Sequence, residues 1–237
     1  MKKVLLVVNP SSGGEKAKDY EKLVIEKLET YFEQVDVKHT EKQDDATNFI
    51  RQACDQDYHS VFLMGGDGTV NEGINGIAEC QNRPKFGFIP LGTVNDLARA
   101  LNIPLNVKKA VENLNFERTR TLDIGRVNDK FFINVIGIGT LPEALNDTSI
   151  EDKTRLGALA YFKKGIETLK DNKSFKFKVT VDGDVKEFTS SLVLICNTRS
   201  VGGQDHLVTN AKVNDGILHL TYLKDKGVLD IVKAVPD

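Results

Sequence analysis

An α/β domain followed by an all-β domain is the fold class predicted by three observations. Short apolar runs alternate with amphipathic segments in the first half, strands and tight turns replace that rhythm after Thr119, and glycine-rich turns close three of the early strands. Val61 to Met64 is too short and too continuously apolar for a surface helix, so it reads as a strand covered on both faces, and strand 3–8 opens the chain. Helix 15–32, strand 35–39, helix 44–57, strand 60–65, helix 69–80, strand 86–90 and helical stretches to about 115 follow. That alternation implies right-handed crossovers and a parallel sheet. Beyond it, Asn128-Asp129 separates two strands and Asp182-Gly183 separates strand 174–181 from strand 185–197. Phe175, Phe177, Val179 and Val181 alternate with polar neighbours, which puts one strand face in a core. A helix at Lys153–Lys170 interrupts the strands. Its Tyr161, Lys163 and Lys164 suit an anionic membrane surface, but Leu156, Leu159, Phe162, Ile166 and Leu169 recur at helical spacing and favour core packing. The predicted domains are 1–120 and 121–237, the second a β-sandwich-like domain.

Composition narrows the function. A net charge of -2 supplies no basic field, so nucleic acid is not an expected partner. Cys54, Cys80 and Cys196 are odd in number, widely spaced and set among apolar residues, and they are expected to be reduced core residues of a cytoplasmic protein. No apolar run has signal-peptide character or membrane-spanning length. His39, His59, His206 and His219 show no ligand spacing.

The chemistry lies in the turns. In Val61 to Glu72 a buried strand stops at Gly65-Gly66 and hands over to a helix, a geometry in which backbone N–H groups face an anion. Asp67 is out of place beside phosphates unless a cation or a set of donors intervenes, which points to a metal-assisted nucleotide site. Phe86 to Arg99 repeats the plan of strand, glycine, threonine and helix, and Val4 to Gly14 opens the chain the same way. In a parallel sheet all three turns fall at the carboxyl ends of strands, where such sheets bind ligands. Asn95 and Asp96 read equally well as first-turn residues that complement a helix N-terminus. Thr40 alone reads as a strand-end hydroxyl, and Asn214-Asp215-Gly216 alone as a turn.

Gly66-Asp67-Gly68-Thr69 with Asn71-Glu72, then Pro90-Leu91-Gly92-Thr93 with Asn95-Asp96, resembles the bacterial diacylglycerol kinase family of soluble lipid kinases. The likeness extends through Asn9–Gly13, Phe132-Ile133-Asn134, Gly137-Ile138-Gly139 and Asp215-Gly216-Ile217-Leu218. It implies an ATP- and Mg²⁺-dependent kinase that converts diacylglycerol to phosphatidic acid. The first domain would bind nucleotide and the second would take lipid from a membrane surface. A kinase of another lipid, such as a sphingoid base or phosphatidylglycerol, and an inactive nucleotide-binding regulator are the alternatives. By resemblance, Asn9, Pro10, Ser11, Ser12, Gly13, Thr40, Thr93 and the run Gly66, Asp67, Gly68, Thr69, Val70, Asn71 and Glu72 hold the nucleotide, with Asp67 in the Mg²⁺ and phosphate network. Replacing Asp67 by Ala should then cost far more activity than stability. A structural Mg²⁺ is implied at Asp215, with carbonyls from Lys212 and Ile217. A peripheral membrane protein of the cytoplasm is expected, with a second copy of the chain as a possible partner. The family's general base belongs to an Asp-Gly-Glu motif expected beyond Asp237, so the β domain is expected to be incomplete here, and this chain to bind ATP without transferring its phosphate. Asp182-Gly183-Asp184 imitates that motif but reads as a hairpin turn.

Overall fold

The computed structural model describes residues 2–13, 17–139, 174–203, 208, 211–224 and 229–232. The predicted helix at Lys153–Lys170 and His206 lie outside the described residues. The chain divides into two compact units, Met1–Thr121 with Arg126–Phe132, and Leu122–Gly125 with Ile133–Asp237.

The first unit contains β1 (Lys3–Val8), α1 (Ala17–Glu29), β2 (Gln34–His39), α2 (Asp45–Asp55), β3 (Ser60–Gly65), α3 (Asp67–Ile77), β4 (Lys85–Pro90), α4 (Asp96–Ala100) and α5 (Val107–Glu112). Its strands form a parallel sheet in the order β2-β1-β3-β4. The continuous apolar run of β3 is explained by its inner place, where every residue is buried. Because side chains alternate across a strand, Val4, Leu6 and Val8 join Phe62 and Met64 against Val24 and Leu28 of α1 and Val111 of α5. On the opposite face Leu63 meets α3 at Gly73. Helices α2 and α3 then touch almost backbone to backbone, for a Cβ on Gly76 would stand 2.8 Å from the Thr47 carbonyl oxygen.

Beyond this sheet, β5 (Gly125–Val127) and β6 (Lys130–Phe132) form a short hairpin turned by Asn128 at φ +52°. The Asn75 side chain of α3 accepts from Phe131 N at 2.9 Å and donates to Phe131 O at 2.8 Å, fastening the hairpin to the helix. The long strands expected directly after Thr119 are thus brief here.

In the second unit are β7 (Val135–Gly139), β8 (Phe175–Val181), β9 (Asp184–Ser190), β10 (Leu192–Cys196), β11 (His219–Leu223) and β12 (Leu229–Val232). Four of them form an antiparallel sheet in the order β12-β11-β10-β7, and among the described strands β8 pairs with β9 alone. Asp182 and Gly183 make the hairpin turn at φ +49° and +90°. The strand expected at 185–197 is two strands, because the chain leaves one sheet for another at Ser190-Ser191. There the Ser190 hydroxyl lies 2.7 Å from the Leu192 carbonyl and 2.8 Å from the Leu223 carbonyl, and accepts from Leu192 N at 3.1 Å. Phe188 stacks on Phe177 at 5.6 Å and on Tyr222 at 4.1 Å between ring centroids, which packs the hairpin against β11.

One expectation is overturned. Cys54 and Cys80 are joined in a disulfide, whereas Cys196 is free and buried as expected. Their sequence separation of 26 hides the pairing, because only the packing of α2 beside α3 brings the end of one helix to the segment that follows the other.

Gly76→Ala tests the helix contact. Alanine gains up to about 1 kcal/mol of helix preference, but overpacking against a fixed backbone carbonyl costs about 1–3 kcal/mol. The variant is expected to melt a few degrees below the parent in a calorimetric scan. An increase in melting temperature would show that α2 and α3 have room to spare.

Candidate functional site

Three turns at the carboxyl ends of β1, β3 and β4 meet. The Asn9 side chain donates to Thr69 Oγ1 at 2.9 Å, which ties the first turn to the start of α3. Asn9 Oδ1 accepts from Ser11 N at 3.1 Å and Ser11 Oγ at 2.8 Å, shaping its own turn. Gly13, at φ +67°, lies so near the fourth strand that an added Cβ would be 2.8 Å from Leu91 O. A Cβ on Gly92 would likewise be 2.6 Å from Gly66 Cα, so the diglycine turn and the β4 turn are in backbone contact.

Asp67 completes the junction from an unexpected direction. Its carboxylate accepts from Asn95 N and Asp96 N, both at 2.7 Å, and so caps α4 from across the sheet edge. Asn95 is the N-cap of α4 by position, in the left-handed region at φ +56°, but its side chain is engaged with Gly92 N at 2.8 Å and Gly92 O at 2.6 Å. Burial raises the Asp67 pKa and the nearby Asp96 carboxylate raises it further, partly offset by N–H groups of Asn95, Asp96 and Leu97. At α3 the opposite holds. Gly66 is its N-cap and has no side chain to offer, so among the described residues its first N–H groups have no side-chain cap.

A recess of about 340 Å³ opens over these turns, lined by Asn9, Pro10, Ser11, Thr40, Thr69 and Glu72 together with Glu41, Lys42 and Gln43. Thr40 is placed there by the pairing of β2 with β1, since Thr40 N donates to Val8 O at 2.9 Å. The Glu41-Lys42 loop is shaped by Asp45, whose carboxylate accepts from Glu41 N at 2.8 Å and Lys42 N at 3.0 Å. Those two N–H groups hold the Asp45 carboxyl below its ordinary value.

Not every expected nucleotide residue reaches the recess. Gly66, Gly68, Val70, Asn71, Ser12, Gly13 and Thr93 are absent from its lining, as is Asp67. Val70 is a core side chain, while Thr93 is exposed. Sequence reasoning missed Glu41, Lys42 and Gln43, although their place directly after the second strand was the available signal.

In the second unit, Asp215 Oδ2 accepts from Lys212 N at 3.0 Å and Oδ1 from Ile217 N at 3.1 Å. Asp123 joins the same turn, with its carboxylate accepting from Gly216 N at 2.6 Å and its own N–H donating to Val213 O at 2.8 Å. His219 Nε2, buried and without a hydrogen-bond partner among the described residues, stands 3.9 Å from Asp215 Oδ2. Asp123 and His219 carried no motif that would have marked them. The other described histidines are locally engaged, His39 with Glu21 and His59 with Ser60.

Comparison with known proteins gives a consistent result. The sequence profile of the diacylglycerol kinase catalytic domain matches residues 3–127, and that of the YegS C-terminal NAD kinase beta sandwich-like domain matches residues 137–237. A diacylglycerol kinase of Bacillus subtilis is 36% identical over 99% of this chain and 78% of its own. One from Staphylococcus carnosus is 36% identical over 97% of this chain and 75% of its own. The crystal structure of a diacylglycerol kinase from Bacillus anthracis str. Sterne superposes with a TM-score of 0.81 at 32% identity, covering 95% of this chain and 75% of that one.

The environment of Asp67 is directly measurable. A carboxyl-detected NMR titration is expected to place its midpoint above the ordinary aspartate value, and Asp96→Asn is expected to bring it down. Because the folded-state value is raised, the stability this group contributes is full below its unfolded value and is lost as pH rises through the folded one. A midpoint that ignores Asp96→Asn would remove that carboxylate from the electrostatics of the turn.

Proposed function

The chain belongs to the diacylglycerol kinase catalytic-domain family and is a lipid kinase; from that premise we propose that it transfers the γ-phosphoryl group of ATP to the free hydroxyl of diacylglycerol, giving phosphatidic acid. The observation that carries this reading is the open start of α3 beside the recess. Phosphoryl transfer proceeds through a loose transition state whose charge lies on phosphate oxygens, so positioning and neutralisation are the main tasks of the protein. The uncapped N–H groups at the start of α3 suit an anion, and the dipole of the helix adds to their attraction. Ser11, Thr40 and Thr69 offer hydroxyls, and Lys42 an ammonium group, around the same space.

In this reading Asp67 acts by fixing the β4 turn against the β3 turn, since both of its oxygens already receive backbone N–H groups. Mg²⁺ accompanying the nucleotide fits the hard oxygen donors of the recess, the Glu72 and Glu41 carboxylates among them, and would neutralise charge on the transferring phosphoryl group. A second, structural Mg²⁺ fits Asp215, where each oxygen accepts one N–H and keeps a lone pair, with Asp123 beside it and carbonyls of Lys212 and Ile217 as further donors. Diacylglycerol would be taken from a membrane surface. No helix among the described residues is long and apolar enough to cross a membrane.

Labelled ATP with Mg²⁺ and separate mixed micelles of diacylglycerol, a sphingoid base and phosphatidylglycerol should yield labelled phosphatidic acid from the first only, whereas ATP binding with no labelled lipid from any of the three would uphold the sequence expectation of binding without transfer. Label appearing on one of the other lipids instead would reassign the acceptor. Thr69→Val keeps the side-chain shape but removes the hydroxyl, and should lower kcat/KM about 10- to 100-fold, the range for a hydrogen bond to a charged group. For the second metal, chelating divalent ions without nucleotide should lower the melting temperature of the parent and leave Asp215→Asn unmoved. Equal responses in both proteins would rule out a metal at Asp215.

A further inference from the structure

We propose that Cys54 and Cys80 form a reversible thiol–disulfide couple that clamps the strand-turn-helix segment between them and is addressed by small thiols and disulfides. The bridge joins the last turn of α2 to the segment just after α3, with a Cα separation of 6.2 Å. The loop it closes contains β3, Gly66 and α3 in full, and therefore the whole diglycine turn. Cross-linking restricts the open forms of such a loop more than its folded form.

Accessibility supports reversibility. Cys54 and Cys80 line one surface recess of about 520 Å³, together with Arg51, Glu79 and Asn82. Cys54 is 6% exposed, whereas Cys80 is only half-buried, so Cys80 is the point of entry. Its thiolate attacks one sulfur of a low-molecular-weight disulfide and expels a thiolate. The Cys54 thiolate then attacks the Cys80 sulfur of the mixed disulfide and expels the second. The two protons of the protein thiols pass to the two released thiolates, so one small disulfide is reduced to two thiols as the protein dithiol is oxidised.

The fold does not depend on the bridge. Thr47 Oγ1 donates to Glu72 O at 2.9 Å, and Gly76 packs against Thr47 and Ile50, so α2 and α3 stay paired when the sulfurs part. The contacts at Thr47, Ile50 and Gly76 thus persist in the reduced form, and the bridge adds a tie at the trailing end of the pair, opposite the leading end that borders the first recess. At that leading end stand Glu41 to Gln43, Thr69 and Glu72, so an effect on phosphate binding follows only if the nucleotide reading above holds. The thiol chemistry and the melting behaviour do not depend on it.

The test equilibrates the native protein without oxygen in mixtures of oxidised and reduced glutathione, quenches with acid, unfolds the protein in alkylating agent and maps the labelled thiols by mass. Across the series, alkylation is expected to fall from three sites to Cys196 alone, to return when the ratio is reversed, and to leave the peptides carrying Cys54 and Cys80 linked. The bridged form should melt about 5–10 °C above the dithiol, with slower amide exchange across residues 60–77. Cys54→Ser and Cys80→Ser should each abolish the difference and Cys196→Ser should keep it. Three alkylated sites at every ratio, a bridge that opens only after unfolding, or equal melting and exchange in the two forms would each overturn the proposal. The comparison of the two redox forms of the parent protein decides it even if a serine variant folds poorly.

Discussion

The carboxylate of Asp67, accepting two backbone N–H groups from the start of α4, is the contact on which the ligand-facing edge of the first unit depends. Asn95 sits at φ +56°, and that conformation turns the N–H groups of Asn95 and Asp96 toward the interior while the Asn95 side chain is spent on Gly92. Nothing within α4 can then receive them, so the acceptor has to arrive from another turn. Each buried N–H left without one costs about 1–3 kcal/mol. Asp67 is consequently a determinant of stability in this turn. Gly66 and Gly92 are the sterically matching part of the same arrangement, because the Asp67 side chain reaches α4 only when the two backbones lie in contact.

This contact separates the two neighbouring helix starts. The positive end of α4 is consumed inside the protein, whereas that of α3, capped only by a glycine, is left for solvent or ligand. Asp67 belongs to the first turn of α3, yet its oxygens point toward α4 and are held there by short hydrogen bonds. Its charge is therefore partly satisfied before any phosphate approaches. The repulsion that made a carboxylate in this turn puzzling is reduced by geometry as well as by a cation.

Local patterns made most of the architecture legible. The continuous apolar runs of β1 and β3, the helical periodicity between them and the Asp182-Gly183 turn all appear where residue chemistry puts them, since each is decided by neighbours in sequence. Of the recess lining, Asn9, Pro10, Ser11, Thr69 and Glu72 were legible because turns at the carboxyl ends of parallel strands converge, and Thr40 only through the family resemblance. What escaped depends on partners distant along the chain. The cysteine pair needed the side-by-side packing of α2 and α3, and the break at Ser190 needed the Leu223 carbonyl of another strand. The direction of Asp67 needed a left-handed residue in a different turn, and φ at Asn95 has no periodic signature.

Asparagine carries much of this hidden information. Asn9 links the first turn to Thr69, Asn75 takes both backbone groups of Phe131, Asn95 takes both of Gly92, and Asn197 donates to the carbonyls of Asp123 and Ile133. Irregular segments have backbone donors and acceptors that no ladder satisfies, and an amide side chain presents one group of each kind on a short stem. An aspartate at Asn75 or Asn95 would keep the acceptor but set an anion against a carbonyl oxygen, so the two residue types are not interchangeable there despite equal size. Sheets hold the strands by repetition, which a sequence reveals as a period. The turns that carry the chemistry are held by single amide ties, each specific to one pair of segments, and for that reason their geometry becomes visible only in three dimensions.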